Sequence, residues 1–488
     1  MALKPNRSIV TSVATGTATV ALLIASGCRP IKIDKSNTGS AAGCADATLD
    51  VGGTCIKDGF VYLLQDAVAG KVEQSGGKTL LAFGKQSLVK GDKLFATGKL
   101  SFAKTASGSN AALNYQLGSA NVGASSTQFI GDSEAISVAH HTLTYQVNET
   151  SESPVTLVAG ITSPSVSSSD GSLLIFRQTQ LSQALDPRIQ KDGAPPYFAA
   201  EMLDNDKLKA SDLKVNSVST TLIELEPKNL KPNDILFVRS GSAWDIAEGK
   251  GNACEGSSVS WSLAVDQKEI TSDGPQLISA SHPIGSSSLQ SIYKSVSGAT
   301  SVKIALSAKI DSGNKPERNG CVLKIADPTT LSVIVFRAIA HLPADIQGAR
   351  YLHDMGSVQA PAGRFSSHQS GPPIETLLNF NWDHLRSDTL LTDTHVTLAA
   401  EDRLQQTKAY VQLSRAPDGL SSHVGKAILM SPDKPHTIAI TDMALGQDLT
   451  TQTRFYLTGM AYSNDSKNVI VNEALIFFMH FRRIGDRL

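Results

Sequence analysis

The stretch TLLAFGKQSLVKGDKLF, from Thr79 to Phe95, recurs twice further along the chain. TLIELEPKNLKPNDILF begins at Thr221 and matches it without a gap, and TLLNFNWDHLRSDTLL begins at Thr376 with one residue fewer. In all three, a leading Thr, an apolar segment, an Asp and a second apolar segment hold the same places. The chain therefore contains three copies of one structural unit, or module.

The repeated stretch predicts a strand, a short polar connection and a second strand. Its Asp stands at Asp92, Asp234 and Asp388, directly after Gly, Asn or Ser. In such a turn an Asp side chain accepts hydrogen bonds from nearby backbone amides. We therefore expect turn residues here and not ligands. Arg177 and Arg337, which follow the last apolar strand of two copies, are expected to form salt bridges at the end of a sandwich.

Further strands follow in the same order in each copy. Alternating segments VTLVAGI, VKIALSA and FYLTGMA start at Val155, Val302 and Phe455, and apolar closing segments LLIFRQ, VIVFRA and LIFFMH start at Leu173, Val333 and Leu475. Short strands separated by Ser, Gly, Asn and Asp clusters are typical of β-sandwiches. The low aromatic content of 6% is that of a chain dominated by small residues.

The predicted fold class is all-β, with three tandem jelly-roll-like β-sandwich domains after an N-terminal signal peptide and a flexible tether. The predicted boundaries are a signal peptide at 1–27, a lipidated tether with a small disulfide loop at 28–55, sandwiches at 56–180, 216–341 and 374–488, and linkers at 181–215 and 342–373. A chain of 488 residues is long enough for three such domains.

The segments HHTLTYQV, from His140, and PHTIAITD, from Pro435, precede the last strands of two copies. This succession resembles the jelly roll of the C1q and tumour-necrosis-factor class, which occurs also in bacterial and phage proteins. The resemblance implies the same strand order in each module. Jelly rolls of this class sometimes form trimers, but no heptad stalk accompanies them here, so the oligomeric state stays open.

The N-terminus has the pattern of an export signal, because Lys4 and Arg7 precede the uncharged run 9–25 and small residues stand before Cys28. VALLIASGC resembles the lipobox of bacterial lipoproteins, which implies lipidation of Cys28 and anchoring in a membrane. Arg29 after the cysteine favours the outer over the inner membrane. An ordinary cleaved signal and an uncleaved anchor are the alternatives.

The remaining four cysteines are even in number, which suggests two disulfides in an exported protein. Cys44 with Cys55 would close a tight loop, and Cys254 with Cys321 would cross-link a later module; other pairings stay open. The chain has no C-x-x-C, and the spacings match no structural zinc site. No metal and no cofactor are predicted.

The chain lacks the motifs of serine hydrolases, zinc peptidases and phosphate-binding loops. A formal net charge of -1 gives no basic surface for nucleic acid. Trp244 and Trp382 are candidate ligand contacts, since indole rings stack on sugars, and Trp382 in the connection after a strand is the better candidate for exposure. Trp261 alternates with polar residues, which favours burial.

The sequence favours a non-catalytic, lipid-anchored envelope or cell-surface protein that displays three β-sandwich modules for adhesion or scaffolding. Its partners would be the membrane, through the lipid, and a surface glycan or protein. The first alternative is an array of carbohydrate-binding modules. The second is an envelope hydrolase with a site built between modules from two carboxylates, although Glu134, Glu224 and Glu401 cannot be paired from sequence.

Overall fold

The fold consists almost entirely of β-strands. The computed structural model describes residues 48–51, 54–57, 60–75, 78–86, 90–91, 93–104, 109–117, 120–124, 128–130, 136–148, 155–162, 166–180, 197–205, 207–216, 218–278, 284–296, 298, 300–338, 350–369, 373–401, 407–415, 424–430, 436–446, 452–463 and 468–483. The predicted signal peptide and the segment 28–47, with Cys28 and Cys44, lie outside these residues.

The first module follows a short antiparallel hairpin, β1 (Thr48–Val51) and β2 (Thr54–Lys57), which contains the backbone of Cys55. The strands of the module are β3 (Phe60–Ser75), β4 (Lys78–Gln86), β5 (Lys93–Lys104), β6 (Ser109–Leu117), β7 (Ala120–Ala124), β8 (Gln128–Ile130), β9 (Ile136–Gln146), β10 (Val155–Thr162) and β11 (Val166–Gln180). One sheet has the order β3-β11-β5-β9 and the other β4-β10-β6-β7.

The second module contains β12 (Tyr197–Asn205), β13 (Asp212–Lys214), β14 (Thr220–Leu225), β15 (Ile235–Ile246), the short helix α1 (Gly251–Cys254), β16 (Ser258–Val265), β17 (Lys268–Leu277), β18 (Ile284–Lys294), β19 (Ile304–Asp311) and β20 (Val322–Ala338). In one sheet β12 and β13 both pair with β20, and the order continues β20-β15-β18. The other sheet has the order β14-β19-β16-β17.

The third module contains β21 (Arg350–Ala360), β22 (Gly363–His368), β23 (Glu375–Asp383), β24 (Thr389–Ala400), β25 (Thr407–Ser414), β26 (Val424–Met430), β27 (His436–Leu445), β28 (Gln452–Tyr462) and β29 (Asn468–Arg483). Its sheets are β21/β22-β29-β24-β27 and β23-β28-β25-β26.

All three modules therefore have the strand order of a jelly roll. Each module has eight principal strands, which we number from first to eighth along the chain. One sheet contains them in the order first-eighth-third-sixth, and the other in the order second-seventh-fourth-fifth. We call the former the inner sheet and the latter the outer sheet. The repeated stretch forms the second and third strands, which lie in different sheets. Its polar connection thus crosses from the outer to the inner sheet.

Parts of both segments expected to be linkers are strands. The range 181–215 contains β12 and β13, and 342–373 contains β21 and β22, and each pair supplies the first strand of an inner sheet. The repeated stretch is consequently not the opening of a module. The linker prediction is wrong for these strands, because their sequences match too weakly between copies to reveal a common element.

The inner sheets are buried on both faces. Along β15, Leu236 and Val238 belong to the core of the second sandwich, whereas Ile235 and Phe237 belong to a different cluster shared with the other modules. Successive side chains of a strand point to opposite faces of its sheet. One strand therefore serves two cores.

The second of these clusters, the shared core, contains buried side chains from all three modules. Its members are Tyr62, Leu64, Ala67, Phe95, Leu174, Phe176, Ile235, Phe237, Ile292, Ile334, Phe336, Leu352, Met355, Leu391, Phe477, Met479 and Phe481. The ring centroid of Phe336 lies 6.1 Å from that of Phe176 and 6.3 Å from that of Phe481. One aromatic residue from each eighth strand thus meets in the shared core.

The first strands of the modules meet in a cyclic pattern. Tyr62 of the first module pairs with Leu352 of the third, and Tyr197 of the second pairs with Leu64 of the first. Leu64 and Leu352 are equivalent positions, because each pairs with the Phe of its own eighth strand, as Ala199 does in the second module. Tyr62 and Tyr197 each lie two residues before this position in their own modules. Both contacts therefore join the same two positions of neighbouring modules. The modules are therefore related as in a trimer, within one chain.

Each first strand has a β-bulge at the same point, followed by an acidic residue. The extra residue and the acid are Gln65 and Asp66, Ala200 and Glu201, and His353 and Asp354. The carboxylates of Asp66 and Asp354 accept the backbone N–H of the next residue at 2.8 and 2.9 Å. A bulge bends its strand locally. The bulge and the acidic residue after it are therefore a feature that the first strands of all three modules share.

A polar contact accompanies the apolar one between each pair of modules. Gln290 Nε2 of the second module donates to Ser172 Oγ of the first at 3.2 Å. Tyr62 donates its hydroxyl to Asp354 of the third at 3.3 Å. Arg239 of the second forms a buried ion pair with Asp393 of the third. All three module pairs are thus in direct contact.

The predicted Cys254–Cys321 disulfide is confirmed. It joins the end of α1 to the residue before β20 and lies in the core of the second module. The proposed partner of Cys55, Cys44, lies outside the described residues, so that pairing stays a prediction.

Replacement of Phe336 by Ala is expected to lower the free energy of unfolding by about 3–5 kcal/mol, because it removes the ring between Phe176 and Phe481. All three modules should lose stability together, in one shifted calorimetric transition. The matched control is Phe60→Ala, since Phe60 is half exposed and should change stability by about 0.5 kcal/mol. Three separate transitions, with one of them shifted, would contradict a shared core.

Candidate functional site

A cluster of polar and aromatic side chains lies in the third module, where the turn from β23 to β24 meets the end of β29. At its centre Asp388, in the connection from β23 to β24, has a fully buried side chain. Its carboxylate accepts the backbone N–H of Leu385 at 2.8 Å, Nε2 of His480 at 2.8 Å and Nη2 of Arg482 at 3.0 Å. Asp388 therefore holds the turn and the eighth strand together.

Burial alone would raise the pKa of Asp388, but the hydrogen bonds from His480 and Arg482 outweigh it and bring the pKa to about 2. The carboxylate is thus ionised throughout the neutral range. Its lone pairs are directed to donors within the cluster. The group is arranged to stabilise the fold and not to transfer protons.

Aromatic rings extend this cluster to both sides of His480. The His480 ring lies 5.1 Å from that of His353 and 5.5 Å from that of Trp382, measured between centroids. Trp382 stacks on His384 at 3.9 Å, and Nε2 of His384 is 3.2 Å from the hydroxyl of Thr453. The three histidines belong to the third module, which distinguishes it from its neighbours.

His353, the bulge residue of β21, has a strongly perturbed pKa. Burial, with further contributions from Arg482 and His480, lowers the pKa of His353 to about 3, although the side chain keeps some contact with solvent. At Asp354, which accepts the Tyr62 hydroxyl, desolvation of the carboxylate raises the pKa. The boundary between the first and third modules therefore favours neutral His353.

The second module repeats the ion pair without the histidines. Oδ2 of Asp234 accepts the Nε–H of Arg337 and the backbone N–H of Lys231, both at 2.8 Å. The predicted turn role of Asp234 and Asp388, and the predicted salt bridge of Arg337, are confirmed. In the first module, Asp92 lies outside the described residues. Arg177 pairs with Leu94, two residues after the position of the recurring Asp.

Arg482 is the residue that sequence reasoning missed. The apolar segment LIFFMH at Leu475 placed Phe478 beside Phe336 of the second module. Strand pairing shows instead that Phe481 is the equivalent of Phe336. Phe481 pairs with Leu352 on the first strand of its module, at the same position where Phe336 pairs with Ala199. The recurring Phe-Arg pair was therefore present three residues further on, and it was the signal that could have identified Arg482.

The two candidate ligand-contact residues are buried. Trp244 is 3% exposed and Trp382 is 4% exposed, and both belong to the cores of their own sandwiches. Trp382 is the last inward side chain of β23, since burial alternates along that strand. The expectation that these residues stack on sugars is therefore wrong. Trp261 is fully buried, as its alternation with polar residues predicted.

The acidic residues considered for a hydrolytic site are not brought together. Glu224 of the second module pairs with Lys209 at 3.3 Å, whereas Glu401 of the third module accepts the backbone N–H of Asn468 at 3.1 Å. Glu134 lies outside the described residues. Within the described part of the chain, no three His, Cys, Asp or Glu side chains are grouped so that they could hold a metal ion.

Comparison with known proteins adds little. No family model and no curated protein matches the chain. Among solved structures, the T13 particle of infectious bursal disease virus is 9% identical over 62% of this chain and 79% of that chain, with a TM-score of 0.21. The CBM22-1-CBM22-2 tandem domain of Xyn10C from Paenibacillus barcinonensis is 12% identical over 60% and 99%, with a TM-score of 0.14.

Dimeric latent PorU from Porphyromonas gingivalis is 11% identical over 74% of this chain and 32% of that chain, with a TM-score of 0.19. Similarities at this level carry no argument about function. As for membrane crossing, the helices in the described ranges are all too short or too polar to span a bilayer.

Replacement of Asp388 by Asn is expected to cost about 3 kcal/mol of stability, because His480 and Arg482 would lose the buried anion that they contact. Equilibrium urea unfolding measures the loss. The exposed Asp383→Asn, five residues earlier, is the control and should leave the unfolding midpoint nearly unchanged. Equal effects of the two substitutions would contradict the role of Asp388.

The lowered pKa of His353 predicts that the free energy of unfolding depends on pH in a specific way. Its pKa is about 3 when folded and about 6.5 when unfolded, so below pH 6.5 the unfolded state binds the extra proton. Its contribution to the free energy of unfolding is therefore fully present above pH 6.5 and falls as the pH decreases. The raised pKa of Asp354 acts in the opposite sense, because there the folded state binds the extra proton.

Urea unfolding between pH 8 and pH 5 should therefore show a shallower pH dependence in His353→Gln than in the parent chain. The two proteins should have similar midpoints at pH 8, where His353 is neutral in both states. Identical pH dependence in parent and variant would show that His353 is not held in its neutral form.

Proposed function

We propose that the chain is a lipid-anchored envelope protein whose three jelly rolls form one rigid head that displays binding surfaces for adhesion or scaffolding, without catalysis. Cys28 carries the lipid in this proposal, and the segment that follows it tethers the head to the membrane. The outer membrane is the proposed location. A surface glycan or a protein is the proposed partner.

The observation that carries this proposal is the shared core. Modules joined only by linkers would move independently, as is usual when interfaces between domains are small and polar. Here the inner sheet of each module contributes buried apolar side chains to one cluster. Such a head holds three modules at fixed spacing, which suits simultaneous contact with a repetitive or multivalent partner.

The outer sheets provide the surfaces that such a head would display. Burial alternates along β16 and β19, so that every second side chain is fully buried and the others keep contact with solvent. The inner sheets are occupied by contacts between modules. Partners are therefore expected on the outer sheets and at the loops where the three copies differ in sequence.

The alternative functions lack a comparable observation. The carbohydrate-binding array depended on Trp244 and Trp382, and both are buried. A hydrolytic site between modules needs two nearby carboxylates and a substrate-sized opening. The described contacts between modules include an apolar cluster, a serine–glutamine contact, a tyrosine–aspartate contact and an arginine–aspartate ion pair, in which the carboxylate of Asp393 is already bound by Arg239.

Cys28→Ala is expected to abolish metabolic labelling with a lipid analogue and to move the protein from the membrane to the soluble fraction. The head should unfold at the same temperature in both forms, because its shared core contains residues from Tyr62 onward. Cys254→Ala serves as the control, since it removes a cysteine from the disulfide without touching the proposed anchor. Labelling of Cys28→Ala equal to the parent would exclude the lipid anchor.

The display function requires its own comparison. Cells that produce Cys28→Ala in amounts equal to the parent should lose adhesion to their surface or partner cells, because the folded head is no longer held at the envelope. Adding back the purified head should compete with adhesion of parent cells. Unchanged adhesion in both experiments would contradict the proposed function even if the anchor is present.

A further inference from the structure

One position on the third strand, two residues after the end of the repeated stretch, differs in charge among the three modules. Five residues after the recurring Asp come Thr97, Arg239 and Asp393. Each lies two residues after a member of the shared core, Phe95, Phe237 or Leu391, and therefore on the same face of its strand. Their exposures are 4%, 3% and 6%, respectively.

Arg239 and Asp393 connect the second and third modules. Nη2 of Arg239 donates to the Asp393 carboxylate and, at 2.9 Å, to the backbone oxygen of Thr392. Asp442 of the third module also interacts electrostatically with Arg239; burial raises the pKa of its carboxyl, and Arg415 and Arg239 oppose that rise. The third module thus presents the Asp393 carboxylate to the Arg239 guanidinium of the second.

A buried ion pair is a poor device for stability alone. The cost of removing both charges from water cancels most of their attraction, and apolar residues of similar size often stabilise as well or better. Removing one partner is different, since the other charge is then buried without compensation. The pair therefore discriminates strongly between correct and incorrect neighbours.

Incorrect neighbours are available to this chain. Three modules with the same fold and apolar inner sheets can exchange between chains, and tandem repeats characteristically misassemble in this way. Packing of two second modules would bring together two arginines at this position. Packing of two third modules would bring together two aspartates. Both arrangements bury like charges.

We propose that Thr97, Arg239 and Asp393 form a recognition key that fixes which module packs against which. The key acts by excluding homotypic pairing of modules from two chains and not by adding stability. It goes beyond the proposed display function and does not depend on the lipid anchor.

The test uses the full chain with Cys28→Ala as the soluble background. Four variants are compared: Arg239→Asp, Asp393→Arg, the exchange of both, and the apolar pair Arg239→Met with Asp393→Leu. Each is unfolded in urea and refolded at high concentration, and its mass is measured by light scattering after gel filtration. Glu224→Lys, which reverses one partly exposed charge beside Lys209 and Lys303 and away from the boundary between modules, is the control.

Each single reversal should lower the yield of refolded monomer, because two like charges are then buried together. The exchange should recover most of this loss, with coupling on the order of 2- to 150-fold in the folding equilibrium. The apolar pair should unfold at a temperature near that of the background but refold into a mixture of monomers and larger species. Glu224→Lys should refold as the monomer.

Two results would overturn the proposal. If the exchange is no better than the poorer single variant, the two positions do not recognise each other. If the apolar pair refolds entirely to a monomer at every concentration, charge at this position does not decide which modules associate. The exchange remains informative even where a single reversal fails to fold.

Discussion

Each inner sheet buries two apolar faces, one within its own sandwich and one against the other two modules. The alternation of Leu236 and Val238 with Ile235 and Phe237 shows this on a single strand. Because neither face can be returned to water without loss of apolar burial, each module depends on its neighbours. The fixed geometry of the head, and the exposure of its outer sheets in place of its inner sheets, follow from this constraint.

Polar residues then determine how these apolar faces combine. Apolar packing alone is not directional, and three similar inner sheets can associate in several ways. The contacts of Ser172 with Gln290 and of Arg239 with Asp393 each involve a different pair of modules. Asp234 and Asp388 have a local role instead, since each links the turn before the third strand to an arginine near the end of the eighth strand.

The sequence was sufficient for the all-β class and for three jelly-roll-like modules, because the second, third, seventh and eighth strands recur with their spacing. It also predicted the turn role of Asp234 and Asp388. The first strands were missed, since their common feature is a bulge followed by Asp66, Glu201 or Asp354, and an extra residue breaks the alternation that identifies a strand.

Contacts between distant parts of the chain were not predictable from one sequence. An apolar run such as ILFV in β15 is equally consistent with one buried face or with two, so the shared core left no distinct pattern. Trp382 was misjudged because β23 continues to Asp383, three residues beyond the apolar pattern that ends at Phe380, and so includes Trp382. Its side chain consequently falls on the inward face, and the apparent ligand contact becomes part of the core.

The overall dimensions of the molecule in solution test the shared core most directly. Small-angle X-ray scattering on a chain lacking its first 28 residues should give a radius of gyration of about 23 Å, the value for one compact body of this size. The distance distribution should have a single maximum. A clearly larger radius with a distribution extended by several separate maxima, as three sandwiches in a string produce, would contradict the account.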